Sequence, residues 1–226
     1  GWGEGFGFFE NATFDESSWI HNMYPETWRN PGGDFVAEPF GRPLRNESTS
    51  IMAVYSLDPE VIQRIVDDED TNFGFILQNQ NGIGLISVES RTCRNFNHES
   101  CERNLVPQLE LVVAPEPGSP TCSPSGSPIG NQFVSLRSSM DTTILHSPFN
   151  ATFDSWNIGG GTNLFVGRVS SPSLGVTTRA IHRALLYFDL ESFKGQEVVN
   201  ATLVFSVRSS SSVCATAGEP GCRTVH

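Results

Sequence analysis

The chain has 226 residues, 14 Lys+Arg against 25 Asp+Glu for a formal net charge of −11, and 38% hydrophobic residues. This is a folded composition on a chain long enough to bury a core, and its acidic balance argues against nucleic acid or an anionic membrane as partner, since phosphate contacts need clustered Lys and Arg. Lys194 is the single lysine, which speaks against lysine-based catalysis, and no apolar run nears the roughly 20 residues that span a bilayer.

The predicted elements, in chain order, are mostly strands. Asp58 as N-cap, Pro59 as first helical residue and the apolar stripe Val61, Ile62, Ile65 and Val66 predict one short helix near 58–66. The acidic run Asp67–Asp70 then opposes the helix dipole and ends it. Strands are expected at 73–78 and 83–88, joined as a hairpin through Asn79–Gly82, and at 109–113. Further strands are expected at 133–137 and 164–169. Arg183–Leu190 is apolar on both faces, as a central strand would be. In Asn200–Val207, Ala201, Leu203, Phe205 and Val207 share one face, and the mostly polar other face carries Asn200. These elements specify an all-β fold, an antiparallel β-sandwich of jelly-roll-like kind with one short helix.

Between the strands, residues 114–129 read APEPGSPTCSPSGSPI, an extended Pro- and Ser-rich linker. Its Ser-Pro steps, Ser119-Pro120, Ser123-Pro124 and Ser127-Pro128, are candidate O-glycosylation positions. Gly3, Gly5 and Gly7, and Gly159–Gly161, are expected to be turns or bulges, because neither set is followed by Gly-Lys-Ser/Thr or opens a helix.

The cysteines point to an oxidising compartment. Cys93 and Cys101, like Cys214 and Cys222, bracket seven residues, a spacing that suits a disulfide closing a loop and matches no zinc pattern. Cys122 is left over, as a free thiol or a cross-link to another chain. Four N-x-S/T sequons, at Asn11, Asn46, Asn150 and Asn200, agree with a secreted glycoprotein of the extracellular space or cell surface.

No catalytic constellation emerges, and an enzyme is not expected. There is no G-x-S-x-G elbow, and His21, His98, His146, His182 and His226 are dispersed. The only close carboxylates are the solvated run at 67–70. No cofactor is called for, apart from a structural Ca²⁺ for which Asp141, Asp154 and Asp189 are candidates with uninformative spacing. Trp2, Trp19, Trp28 and Trp156 fill a sandwich core or present sugar-stacking platforms. Trp28 with Asp34, flanking Pro31–Gly33, is the first candidate pair for a sugar or cation contact.

The segments Ser138–Ile144, Asn163–Gly167, Arg183–Leu190 and Asn200–Phe205 follow an order that resembles the first half of a DNRLRE-type domain. Gly1–Gly5, Trp28–Phe35, Asn72–Leu77, Val88–Arg91 and Pro107–Val112 resemble its second half. The resemblance implies a secreted β-sandwich of the carbohydrate-binding-module kind, although the six-letter string that names the family is absent. Here the second half (1–113) precedes the first (130–226), so that the domain is split across the chain ends. Three arrangements complete it: a circular permutant closing on itself, a head-to-tail exchange of halves between copies, and one period of a tandem repeat. The expected function is a structural, self-associating extracellular glycoprotein of a filament or surface layer, with further copies of itself and covalent glycans as partners. The alternative is a carbohydrate-binding module with a polysaccharide partner.

Overall fold

The computed structural model describes residues 1–44, 52–79, 84–92, 106–115, 130–170, 179–210 and 224–225. In chain order the strands are β1 (Glu10–Asn11), β2 (His21–Met23), β3 (Glu26–Thr27), β4 (Gly41–Pro43), β5 (Met52–Leu57), β6 (Phe75–Gln78), β7 (Gly84–Glu89) and β8 (Gln108–Val113). They continue with β9 (Gln132–Arg137), β10 (Met140–His146), β11 (Trp156–Asn157), β12 (Asn163–Ser170), β13 (Arg179–Tyr187), β14 (Val198–Ser210) and β15 (Thr224–Val225). The one α-helix among the described residues, α1 (Pro59–Asp67), lies between β5 and β6. No helix among the described residues is long and apolar enough to cross a membrane.

The fold is an all-β sandwich with antiparallel pairing throughout the described strands. In one layer β13 carries β10 along one edge, while β12 and β6 share its other edge, at Arg179–His182 and Ala184–Leu186. β12 continues along β7. In the other layer β9 pairs with β8, β8 with β14, β14 with β5, and β5 with β4. The 13-residue β14 belongs to both layers. Its first part pairs with β8 and β5, its end pairs with β7, and the register shifts between Val207 and Ser209 where it turns the corner. Strands that change sheet do so through such irregularities. On the far side β15 bridges β4 and β6, so the pairings run in a closed circuit through eight strands.

The main core lies between the layers. Leu109, Leu111 and Val113 of β8 and Ala201, Leu203 and Phe205 of β14 face Ile86 and Val88 of β7, Leu164 and Val166 of β12, and Ala184 and Leu186 of β13. Helix α1 closes one end with Ile62 and Val66, both buried. The Asp58 carboxylate caps it by accepting the Glu60 amide at 2.9 Å. The acidic run does end the helix. Asp68 then starts a 3-10 turn, its carboxylate accepting from the Asp70 amide at 3.2 Å, so the charge that ends one helix caps the next turn.

A second, smaller core covers the outer face of β13 and β10, where Trp2 and Trp19 pack on Ile76, Ile144 and Leu185. The N-terminal segment is thus a lid on the sandwich. It is latched by glycine contacts, since Gly160 donates its amide to the Gly7 carbonyl at 2.8 Å.

One expectation is corrected. β6 and β7 do not form a hairpin: β6 lies between β13 and β15, and β7 between β12 and β14. A turn signal fixes a reversal of direction, but β6 is buried along its whole length and needs a neighbour on each edge. The segments 1–113 and 130–226 alternate through the sheets, as in β6–β13, β12–β7–β14 and β14–β8–β9, and share one core.

Candidate functional site

Alternation in β8 and β9 builds the outer face of the second layer. Leu109, Leu111 and Val113 point inward with no measurable exposure, which sends Gln108, Glu110 and Val112 outward. The registers set these in three rows: Arg137, Gln108 and Val204; Ser135, Glu110 and Thr202; Phe133, Val112 and Asn200. Ser56 of β5 and Arg42 of β4 extend the middle row. An open depression of about 560 Å³ lies at one end of this face, lined by Met52, Gln108, Glu110, Ser135, Leu136, Arg137 and Val204. The Ser135 hydroxyl and the Gln108 side-chain oxygen are 2.9 Å apart, and Phe133, 66% exposed, stands at the other end of the face. Facing side chains about 5 Å apart offer a carboxylate, a guanidinium, an amide and a hydroxyl, with an aromatic ring beside them. Such a lattice can hydrogen-bond a ligand bearing many hydroxyls and stack on its apolar face. Sequence reasoning passed over these residues. The alternation in each strand is visible, but that the strands lie side by side is not.

The predicted pair Trp28 and Asp34 is arranged otherwise. The indole nitrogen of Trp28 donates to the Ser18 carbonyl at 2.9 Å, and its ring packs on the outer core. Both carboxylate oxygens of Asp34 close their own loop, accepting from the Arg29 amide at 2.8 Å and from the Asn30 amide and side chain at 2.9 Å. Slight desolvation acts upward on its carboxyl pKa, and these hydrogen bonds with the Arg29 charge outweigh it, leaving the pKa lowered. The loop presses on Trp19, beside which stand Arg183 and His146. The His146 ring stacks on Trp19 at 5.2 Å, and its Nδ1 lies 3.0 Å from the Asp154 carboxylate. Trp2 and Trp19 are core residues and Trp28 and Trp156 are half-buried, so the exposed aromatics are mostly phenylalanines.

The three aspartates considered for Ca²⁺ stand apart. Asp141 is fully buried and takes hydrogen bonds from the Ser90 hydroxyl (2.6 Å), the Arg91 amide (2.8 Å) and the Ser138 hydroxyl (3.2 Å). Burial raises its pKa to about 6. Asp154 holds His146, and Asp189 accepts the Glu191 amide at 3.1 Å. Among the described residues no three His, Cys, Asp or Glu side chains gather as a metal site. The sequon residues Asn11, Asn150 and Asn200 are all exposed. Asn46, all five cysteines and the Ser-Pro steps at 119–128 lie outside the described residues.

Comparison with protein-family models, with curated proteins and with solved structures finds no match.

Proposed function

We propose that the chain is a non-catalytic β-sandwich module of a secreted glycoprotein, and that the outer face of β9, β8, β14 and β5 binds carbohydrate. The observation that carries this reading is the depression over Gln108, Glu110, Ser135 and Arg137 with Phe133 exposed further along the face. The resemblance to DNRLRE-type domains supports the same reading, and the exposed sequons at Asn11 and Asn150, which lie off this face, support its secreted-glycoprotein part. Its test is retention on a panel of polysaccharides in affinity gels. Wild-type chain should be retarded by at least one, and Phe133→Ala and Arg137→Ala should lose about tenfold or more in affinity while melting as wild type. Loss of one hydrogen-bonded charge or one stacking ring is of that size. Retention by none, or unchanged retention in both variants, refutes the assignment.

A second reading is self-association into a filament or surface layer. The alternation of strands from 1–113 and 130–226 closes the domain within one chain, and copies exchanging halves would repeat the same pairings. Sedimentation across a hundredfold concentration range decides it. Growth beyond the monomer supports exchange, and a monomer throughout removes it.

A further inference from the structure

We propose that the N-glycan at Asn11 folds back onto the aromatic array beside it, with its first N-acetylglucosamine seated on Phe9. The inference rests on the secreted-glycoprotein part of the functional reading and is independent of the depression.

The segment from Phe6 to Phe14 is unusually bare for a protein surface. Phe6 is 89% exposed, Phe8 55%, Phe9 38% and Phe14 74%. Exposed aromatic surface of this extent is costly in water and calls for a cover. Two of these rings, Phe8 and Phe9, belong to a connected array. Phe8 and Phe9 meet edge to face with centroids 4.7 Å apart, Phe9 meets Trp156 at 5.9 Å, and Trp156 meets Phe153 at 4.1 Å.

The occupant is identified by what stands among the rings. Asn11 lies directly opposite Trp156 in the β1–β11 pair, and side chains so opposed stand about 5 Å apart on one face. Phe9, two residues before it, has φ of 58°, a left-handed turn that bulky residues rarely adopt, and its ring packs against that same Trp156. Asn11, Ala12 and Thr13 form the sequon, and Asn11 and Thr13 are both exposed. A sugar attached here starts within reach of the rings. The C–H face of a pyranose is apolar enough to stack on an aromatic ring, and covalent attachment makes the contact intramolecular, so a weak attraction is well populated.

The test is made on the whole chain secreted from a glycosylating eukaryotic host, with occupancy of each sequon read by peptide mass spectrometry. Thr13→Ala abolishes the sequon and leaves Asn11 and its pairing with Trp156 in place. Phe9→Ala removes the seat. The expected result is an occupied Asn11 and a melting temperature lower by about 2–4 °C in Thr13→Ala. The acetyl methyl resonance of the Asn11 sugar should be shifted upfield by the Phe9 ring. In the Phe9→Ala background the loss of the glycan should leave the melting temperature unchanged and the methyl shift should vanish. An unoccupied Asn11 with other sequons occupied overturns the proposal and spares the secretory reading, whereas no glycan at any sequon overturns both. A glycan effect that is the same in the wild-type and Phe9→Ala backgrounds shows a tether or bulk effect and also overturns it.

Discussion

The guanidinium of Arg183 lies 4.7 Å above the centre of the Trp19 ring and 5.0 Å from that of Phe35. Its Nη1 donates to the Gly32 carbonyl. One side chain from β13 therefore pins both the indole and the Pro31–Asp34 loop onto the sheet. Burial, and then the charge of Arg168, lower its pKa to about 10, so it stays protonated at neutral pH. Lysine cannot supply a planar cation that stacks and donates at once. Arg183→Lys should destabilise the chain by about 1–2 kcal/mol in urea unfolding followed by tryptophan fluorescence. Gly32→Ala should cost about 2 kcal/mol or more, because φ is +93° and the new methyl would stand 2.6 Å from both Arg183 and Trp19.

Glu89 and Arg208 join β7 to the end of β14. The carboxylate is fully buried and takes two hydrogen bonds from the guanidinium, at 2.6 and 2.7 Å. Arg208→Ala strands the buried charge and should cost about 3 kcal/mol. Replacing the pair by Glu89→Leu with Arg208→Met should cost much less, a contrast that a double-mutant cycle reads directly.

The N-terminal lid depends on glycines at 159 and 160. A methyl group on Gly159 would fall on the Glu4 carbonyl, and one on Gly160 on the carbonyl of Phe6. Gly160→Ala should therefore detach residues 1–9 rather than unfold the sandwich. Limited proteolysis should cut this segment at least tenfold faster than in wild type, while far-ultraviolet circular dichroism stays unchanged.

Two buried groups give the stability a pH dependence of opposite sign. His182, on the core side of β13 with its Nδ1 buried and unpartnered, has its pKa lowered by burial to about 4 from 6.5. The unfolded chain takes up that proton first, so this contribution is full above pH 6.5 and is lost as pH falls toward 4. Asp141, raised to about 6 from 3.8, contributes stability that is full below 3.8 and is lost as pH rises through 6. His182→Leu should be more stable than wild type at pH 7 by about 1 kcal/mol, having no unpaired nitrogen, and the gain should widen from about pH 6.5 to about 4. Urea midpoints measured at half-unit steps check both slopes.

Much of the architecture is legible in local pattern. Asp58 and Pro59 announce α1, and Ala201, Leu203 and Phe205 announce the buried face of β14. β10 is not legible, because its polar Asp141, Thr142 and Thr143 are wholly buried. Asp141 is satisfied by Ser90, Arg91 and Ser138, and the Thr143 hydroxyl accepts from the Phe165 amide at 2.9 Å. A strand whose interior is made tolerable by distant donors looks like a surface strand in sequence. The candidate site shows the same division. The alternation of Gln108 and Glu110 with leucines is plain, yet nothing local says that Arg137 and Ser135 stand beside them.

The sequence by itself determined period, face and cap, since the direction of a side chain depends only on its own backbone. It also marked Gly3, Gly5 and Gly7 and Gly159–Gly161 as turns or bulges, without saying what approaches them. Only the tertiary structure decided that Gly159 and Gly160 press backbone on backbone against residues 4–7, some 150 residues away. It decided likewise that β6 and β7 pair with other strands, and that phenylalanines, not tryptophans, face the solvent. The physical reason is that neighbours in a sheet are chosen by the core they jointly close, from segments far apart in the chain, and no short window contains that choice.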